Sequence, residues 1–187
     1  MMKVETGDEK EWILRSKGGD LSAFEHLVRL HQPMVRSITY RFTGNLADAA
    51  DLAQETFIQA WQGVGGFRGE SAFGGWLRRV AVNACLQWRA RQRPTETLED
   101  HHLQMQVDAS GGGERHDDPA ARVREAVQAL PPKQRAAVIL TVYEGLNHAE
   151  AAAAMSCSET TVSWRVFVAR KKLAHTLRDL SGRGGKV

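Results

Sequence analysis

A stretch poor in large apolar residues divides this chain and limits the folds available to the rest. Residues 94–118 carry seven acidic residues against one arginine, and they include Ser110 followed by three glycines. Such a composition buries too little apolar surface to fold alone, so it predicts a flexible linker. The blocks on either side, 1–93 and 119–187, are then predicted to be two small domains.

Apolar residues in the first block recur at three- and four-residue steps, which predicts helices. A short helix containing Trp12 is expected to end at Gly18, and longer ones are expected over 21–42, 47–62 and 71–93. Asp20 and Ser71 are candidate N-caps, because their side-chain oxygens can accept hydrogen bonds from the first free amides. Pro33 is expected to kink or split the second helix.

The second block has the proportions of a helix-turn-helix. Helices are predicted over 119–130 and 133–144, with Pro132 in the first turn of the latter. Asn147 is expected to cap a short helix that ends at Met155, and Ser158 to cap a longer one over 159–177. On that last helix, one apolar stripe is the predicted packed face: Val162, Val166, Ala169 and Leu173. The predicted fold class is therefore all-α, with two small helical domains, a flexible acidic linker and a C-terminal helix-turn-helix.

The distribution of charge and cysteine narrows the classes of function. The two blocks are net basic, which indicates two nucleic-acid-facing modules unless the charges are ordinary solvated surface. With only two cysteines, no disulfide framework is expected, and a reducing, cytoplasmic setting fits. We expect no signal peptide and no membrane span. His101, His102 and His116 lack a second close ligand pair, so neither a metal nor another cofactor is expected.

Residues 67–86 combine aromatic, basic and amide side chains in a glycine-rich turn and the helix after it. Aromatic rings can stack on unpaired bases while arginines hold phosphates, so this segment is a candidate site for single-stranded nucleic acid. The alternative is an ordinary amphipathic helix. Core packing is expected in either case for Phe73, Trp76, Leu77 and Val80. The functional prediction depends on Phe67, Arg68, Arg78, Arg79 and Asn83.

The second helix of the helix-turn-helix is predicted to read duplex DNA. A helix that presents its N-terminal residues to the major groove contacts base edges there, and basic residues farther along contact phosphates. The candidate contacts are Thr160, Thr161, Ser163, Trp164, Arg165, Phe167, Arg170 and Lys171. A helical hairpin with solvated charges remains the alternative.

Three segments, in order, resemble the extracytoplasmic-function (ECF) sigma factors of the sigma-70 family. Residues 51–61, DLAQETFIQAW, resemble region 2.2, which docks on the polymerase. The motif Phe67-Arg68-Gly69-Glu70-Ser71, with the segments 76–77 and 81–83, resembles regions 2.3 and 2.4, which melt and read the minus-ten element. Residues 130–173 resemble region 4, which reads the minus-thirty-five element.

The resemblance implies a promoter-specificity subunit of RNA polymerase rather than an enzyme. The implied contacts with the polymerase core are Asp51, Gln54, Glu55, Phe57 and Trp61. Phe67, Arg68 and Asn83 are implied to grip a flipped base, and the minus-ten set is completed by Ser71, Arg78 and Arg79. Region 4 adds Arg135 to the minus-thirty-five set. The implied partners are core RNA polymerase (the beta-prime clamp helices and the beta flap), promoter DNA and an anti-sigma factor, whose binding is expected to clamp the domains together and hide both DNA surfaces.

The resemblance fails at some positions where promoter specificity is expected. Ser163 and Trp164 stand where the family commonly has a basic residue and a serine, and Val168 replaces another often-basic residue. Trp164 and Phe167 could contact thymine methyls or an inhibitory protein.

Two rival functions remain open on the sequence alone. A conventional helix-turn-helix repressor or activator predicts tight duplex binding without polymerase, together with dimerisation. A histidine-dependent nuclease would need His101, His102 and His116, which lie in a segment predicted to be too flexible to position them.

Overall fold

The structure, a computed structural model, describes residues 6–92 and 118–178. The first range forms α1 (Thr6–Lys17), α2 (Leu21–Thr43), α3 (Leu46–Gly63), a 3-10 turn (Val64–Gly66) and α4 (Phe73–Arg91). The second forms α5 (Pro119–Gln128), α6 (Pro132–Val138) with a π-helical continuation (Ile139–Tyr143), α7 (His148–Met155) and α8 (Glu159–Thr176). The all-α prediction is thus confirmed for the described ranges. The predicted linker lies outside them apart from Asp118, and so do His101, His102 and His116.

Asp20 caps α2 as predicted. Its Oδ1 accepts hydrogen bonds from the amides of Ser22 (2.9 Å) and Ala23 (3.2 Å), and Arg15 Nη2 pairs with Oδ2 at 2.7 Å. Hydrogen bonds from the Ser22 hydroxyl, from Arg15 and from the Ala23 amide hold the pKa of Asp20 well below its ordinary value. α2 then continues through Pro33 as one helix, so the expected split does not occur.

The helix that follows the glycine-rich loop begins later than the sequence indicates. The N-cap of α4 is Ala72, which offers no side-chain acceptor, while Ser71 is exposed outside the helix. The prediction that Ser71 caps this helix is therefore wrong. α4 ends with Arg89 and Arg91 in its last turn, where positive charge stabilises the helix dipole.

The helix-turn-helix forms where it was predicted. Asn147 and Glu150 make a reciprocal capping box, with both hydrogen bonds at 2.9 Å. Ser156, with φ of 50°, adopts the left-handed conformation that ends α7, and Ser158 accepts the Thr161 amide at 3.1 Å to begin α8. Val162, Val166 and Ala169 are buried, as expected for the packed face.

The described helices enclose three apolar clusters. One belongs to the N-terminal helices and includes Phe24, Leu27 and Leu77, and a small one belongs to the C-terminal helices. The largest contains residues from both sides of the linker, among them Phe42 and Leu140. The N-terminal unit (α1–α4) and the C-terminal unit (α5–α8) therefore pack on each other. Among the described helices, none is long and apolar enough to cross a bilayer.

Candidate polymerase and nucleic-acid interface

The predicted polymerase-binding residues divide between the surface and the interior of α3. Asp51 and Gln54 are exposed, and Ile58, one turn farther along the helix, is 50% exposed. Phe57 and Trp61 are half-buried against the N-terminal core, where the Trp61 ring lies 5.1 Å from that of Phe24. The exposed face thus combines polar and apolar groups, and Ile58 is a member that the sequence analysis missed.

Glu55 is half-buried and already has a partner within the chain. Both of its carboxylate oxygens accept from Arg91 Nη2, at 2.9 Å each, which joins α3 to the end of α4. The sequence analysis missed Arg91 because the two residues lie 36 positions apart. A carboxylate held in this way presents a fixed edge to a partner instead of a freely rotating side chain.

Phe67 does not lie where a base-stacking residue should. Its ring is only 7% exposed and lies 5.5 Å from both the Phe73 and the Trp76 rings, edge-on to the former. This aromatic cluster anchors the loop to α4. The prediction that Phe67 grips a flipped base is therefore wrong for this conformation, because the ring has no free face.

The rest of the loop is exposed, with Arg68 Nη1 3.9 Å from Glu70 Oε1, and it lies against basic residues of α1. Arg68 and Ser71 are exposed, and Lys17 Nζ donates to the Phe67 carbonyl at 3.0 Å, which ties α1 to the loop. A cleft of about 170 Å³ lies there, lined in part by Lys10, Lys17 and Arg68. Three cations around a small cleft can hold phosphates. The two lysines come from a helix that sequence reasoning had not assigned to the site.

Arg79 and Asn83 lie on one exposed face of α4, four residues apart. Arg78 is half-buried, and its Nε meets no hydrogen-bond partner among the described residues. Of the predicted set on this helix, Arg79 and Asn83 are thus the two side chains that are fully presented to a ligand.

The outer face of α8 presents aromatic and basic residues together. Trp164 is 59% and Phe167 55% exposed, and Lys171 Nζ lies 4.6 Å above the Phe167 ring. Thr160 and Arg170 are also exposed. The spacing of 160, 164, 167 and 171 makes one stripe opposite the buried one.

Three other predicted residues of α8 are engaged within the helix-turn-helix. The Ser163 hydroxyl lies 2.8 Å from His148 Nδ1, and Arg165 Nη1 lies 3.5 Å from Cys157 Sγ. Thr161 shares a 2.7 Å hydrogen bond with the Ser158 hydroxyl. These contacts orient α8 on α7 and on the turn.

Arg135, the remaining predicted minus-thirty-five residue, lies away from this face. It is 4% exposed, and its guanidinium donates to backbone carbonyls, including that of Phe42 at 2.7 Å. In this conformation it cannot contact DNA, so the assignment made by resemblance is corrected. A basic residue in a basic unit gives no sequence signal of its burial.

Comparison with known proteins identifies the family. Residues 27–95 match the family model for sigma-70 region 2, and residues 120–173 match that for sigma-70 region 4. The RNA polymerase sigma-H factor of Pseudomonas aeruginosa is 33% identical over 183 residues, which cover 92% of this chain and 95% of that protein. The ECF RNA polymerase sigma factor SigM of Mycobacterium tuberculosis is 33% identical over 92% of this chain and 86% of its own. The chain belongs to the ECF class of sigma-70 factors.

A solved structure agrees with this family. The sigma factor RpoE of Bartonella quintana, solved in complex with the anti-sigma factor NepR, is 25% identical and has a TM-score of 0.60, with 83% of this chain and 96% of that one covered. As a sigma factor, this protein is a transcription initiation factor that directs RNA polymerase to promoters, and it is not an enzyme.

Proposed function

We propose that residues 1–93 dock on core polymerase and open the minus-ten element, that residues 119–187 read the minus-thirty-five element, and that 94–118 connect them. Two exposed faces on one chain carry this proposal. Arg79 and Asn83 form the first, on α4, and Trp164, Phe167 and Lys171 form the second, on α8.

The outer face of α3 is the proposed docking surface for the beta-prime clamp helices. Asp51 and Gln54 supply polar contacts, and Ile58 supplies an exposed apolar group between them and the end of the helix. Charged rims guide docking and fix register, whereas a desolvated apolar group contributes affinity. Glu55, oriented by Arg91, is the fixed acidic contact. We assign the beta flap as the second polymerase contact, on the C-terminal unit.

The exposed α4 face and the loop are proposed to hold the opened minus-ten strand. The Asn83 amide offers both donors and an acceptor to a base edge, while Arg68 and Arg79 hold phosphates. Capturing an unstacked base offsets the few kcal/mol that opening each step costs. The buried Phe67 ring shapes the loop rather than stacking on a base.

The α8 stripe is proposed to enter the major groove. Thr160 and Trp164 come first along the helix and face base edges, where an indole can contact thymine methyls. Arg170 and Lys171 follow, at positions suited to phosphates.

An anti-sigma factor is the proposed regulator, and the cytoplasm the proposed compartment. The support is family membership, together with the solved complex of the Bartonella RpoE with its anti-sigma factor. A separate protein in the same compartment as the polymerase can then control access to it.

The test is transcription reconstituted with core polymerase on a genomic promoter library. The proposal expects initiation that depends on both core and this chain, with weak duplex binding by the chain alone. Tight binding to palindromic duplexes without core, and no core-dependent initiation, would instead make it a conventional helix-turn-helix regulator.

The minus-ten assignment is tested with Asn83→Ala on a promoter selected in that library. Losing a bidentate base contact costs about 1–3 kcal/mol, so open-complex formation should fall by roughly tenfold with core binding unchanged. Gln87→Ala, one turn along α4 and also exposed, is the matched control and should behave as wild type. Equal activities of the two variants would remove Asn83 from the site.

A further inference from the structure

One face of α1 carries a stripe of basic and apolar residues, Lys10, Leu14 and Lys17. They follow one another at four- and three-residue steps, so they lie on the same side of the helix. All three are exposed, and Leu14 is 71% exposed. α1 ends at Lys17, ahead of residues 27–95, which match the family model for sigma-70 region 2. That match therefore assigns no function to the α1 stripe.

The α1 stripe forms one side of the cleft beside the glycine-rich loop. Ile13 joins the stripe on the helix side of this cleft of about 170 Å³, and residues 67–69 of the loop form the other side. Lys17 Nζ donates to the Phe67 carbonyl at 3.0 Å, which keeps the helix and the loop together. The cleft thus brings apolar side chains and cationic groups from both segments around one small space.

The cations at this cleft are left largely free by the rest of the described chain. Lys10 has no acidic partner among the residues that the structure describes. Lys17 has three N–H donors and uses one of them on the loop carbonyl. Arg68 Nη1 lies 3.9 Å from Glu70 Oε1, but both side chains are more than three-quarters exposed, so solvent screens this pair. All three cations can therefore pair with an anion that enters the cleft.

The acidic residues of α1 do not neutralise the stripe. Glu9 and Glu11 are paired elsewhere, with His31 and Arg15. With 3.6 residues per turn, both lie about 100° around the helix from the start of the stripe, and the remaining acid of α1, Asp8, lies about 160° from it. The side of α1 that faces the cleft is therefore positively charged.

The composition of the cleft suits a strand of nucleic acid. Lysine and arginine hold the anionic phosphates, and each base has an apolar face that an exposed leucine can cover. Lys10 and Lys17 lie about 10 Å apart along α1, with Leu14 between them. Arg68, on the other side of the cleft, belongs to the loop proposed to hold the opened minus-ten strand. A strand held at that loop can therefore continue along the α1 stripe.

We propose that α1 and the loop form a second contact for the opened strand, beyond the minus-ten bases held at α4. Lys10, Lys17 and Arg68 hold phosphates there, and Leu14 covers the face of one base. The inference rests on the proposed function, since it extends the same surface along the strand. It makes α1 a DNA-binding helix and lengthens the single strand that the N-terminal unit holds.

The first experiment measures how much of the strand the holoenzyme holds. Fluorescent minus-ten oligonucleotides from a promoter selected in the transcription library are titrated at several salt concentrations, alone or with about three more nucleotides at the 5′ or the 3′ end. One of the two extensions should tighten binding by about fivefold or more near 0.1 M salt, because each added phosphate contact contributes about 0.7 to the salt slope.

Lys10→Gln removes one cation of the stripe and keeps the length of the side chain. It should bind that extended oligonucleotide about fivefold more weakly, with a salt slope smaller in magnitude by about 0.7, and should bind the unextended one as the wild type does. Lys172→Gln, at an exposed position of α8, makes the same charge change in the other unit and is the matched control. It should bind every oligonucleotide as the wild type does.

Either of two results would overturn the proposal. In the first, the wild-type holoenzyme gains nothing from either extension. In the second, Lys10→Gln binds all the oligonucleotides as Lys172→Gln does, or weakens all of them equally. If the wild-type holoenzyme initiates at no promoter of the library, the proposed function fails first, and this inference fails with it.

A crosslink identifies what the α1 stripe touches. The photo-crosslinking residue p-benzoylphenylalanine is placed at Leu14 and, as the matched control, at Leu46, which is 73% exposed at the start of α3. In open complexes, the group at position 14 should crosslink to the DNA strand, and the group at position 46 should not. A crosslink from position 14 to a polymerase subunit, without any to DNA, would make the stripe a protein contact and would overturn the proposal.

Discussion

Aromatic residues of the N-terminal and C-terminal units have opposite environments. In the N-terminal unit, Phe67 and Phe73 are buried in one cluster with the half-buried Trp76. In the C-terminal unit, Trp164 and Phe167 are more than half exposed. The comparison separates two uses of one residue type. The first set fixes the shape of a loop that exposes Arg68 and Ser71, whereas the second is itself the exposed surface.

The largest expected difference between the two sets of aromatic residues is in their contribution to the free energy of unfolding. Phe67→Ala removes a buried ring from the aromatic cluster and should lower the free energy of unfolding by about 3 kcal/mol. Phe167→Ala should change it by less than about 0.5 kcal/mol, because the ring is exposed. Urea denaturation of the two matched variants measures both values. Similar losses would mean that the environments do not differ as described.

For DNA binding, we expect the exposed aromatic residues to matter more than the buried ones. Trp164→Ala should weaken binding to a minus-thirty-five duplex by roughly tenfold, which corresponds to about 1.4 kcal/mol, and should leave the unfolding midpoint unchanged. Leu46→Ala, another exposed apolar residue but far from α8 in the chain, is the matched control. The measurement is a fluorescence titration at fixed salt. Equal affinities of the two variants would mean that Trp164 does not contact the minus-thirty-five duplex.

The sequence predicted best what depends on neighbouring residues. Asp20, Asn147 and Ser158 begin their helices as expected, since an N-cap involves a side chain and amides only two or three positions away. Ser71 was a wrong cap because the loop geometry places the helix start two residues later. Local rules therefore give most helix boundaries, while the position of a loop depends on what it packs against.

Burial of polar and aromatic residues between distant segments was not predictable in this way. Arg135 is a basic residue in a net-basic unit, and nothing near it in the sequence indicates that its guanidinium bonds to Phe42, 93 positions away. Phe67 lies among glycines and arginines, as a base-stacking residue would, and it is buried only because the loop folds back on α4. In both cases long-range packing outweighs local pattern, and the candidate site changes with it.

Removing one exposed cation of the N-terminal unit is expected to have the smallest effect of these substitutions. It also tests most directly how this unit differs from the aromatic face of α8. Arg79 is exposed beside Asn83, whereas Arg91, on the same helix, is paired with Glu55. Each phosphate contact on a single strand releases counterions and contributes about 0.7 to the slope of log affinity against log salt. Arg79→Ala should therefore reduce the magnitude of that slope by about 0.7, the value of one phosphate contact, for binding to a minus-ten oligonucleotide.

Arg91→Ala is the matched control, since it removes the same charge from α4 and should leave the slope unchanged. Titrations at several salt concentrations separate this outcome from a uniform loss of affinity. A slope that falls equally in both variants would indicate that α4 acts through its total charge. A slope that falls only for Arg79→Ala would mean that the N-terminal unit holds the strand with individually placed polar groups, in contrast to the aromatic face of α8.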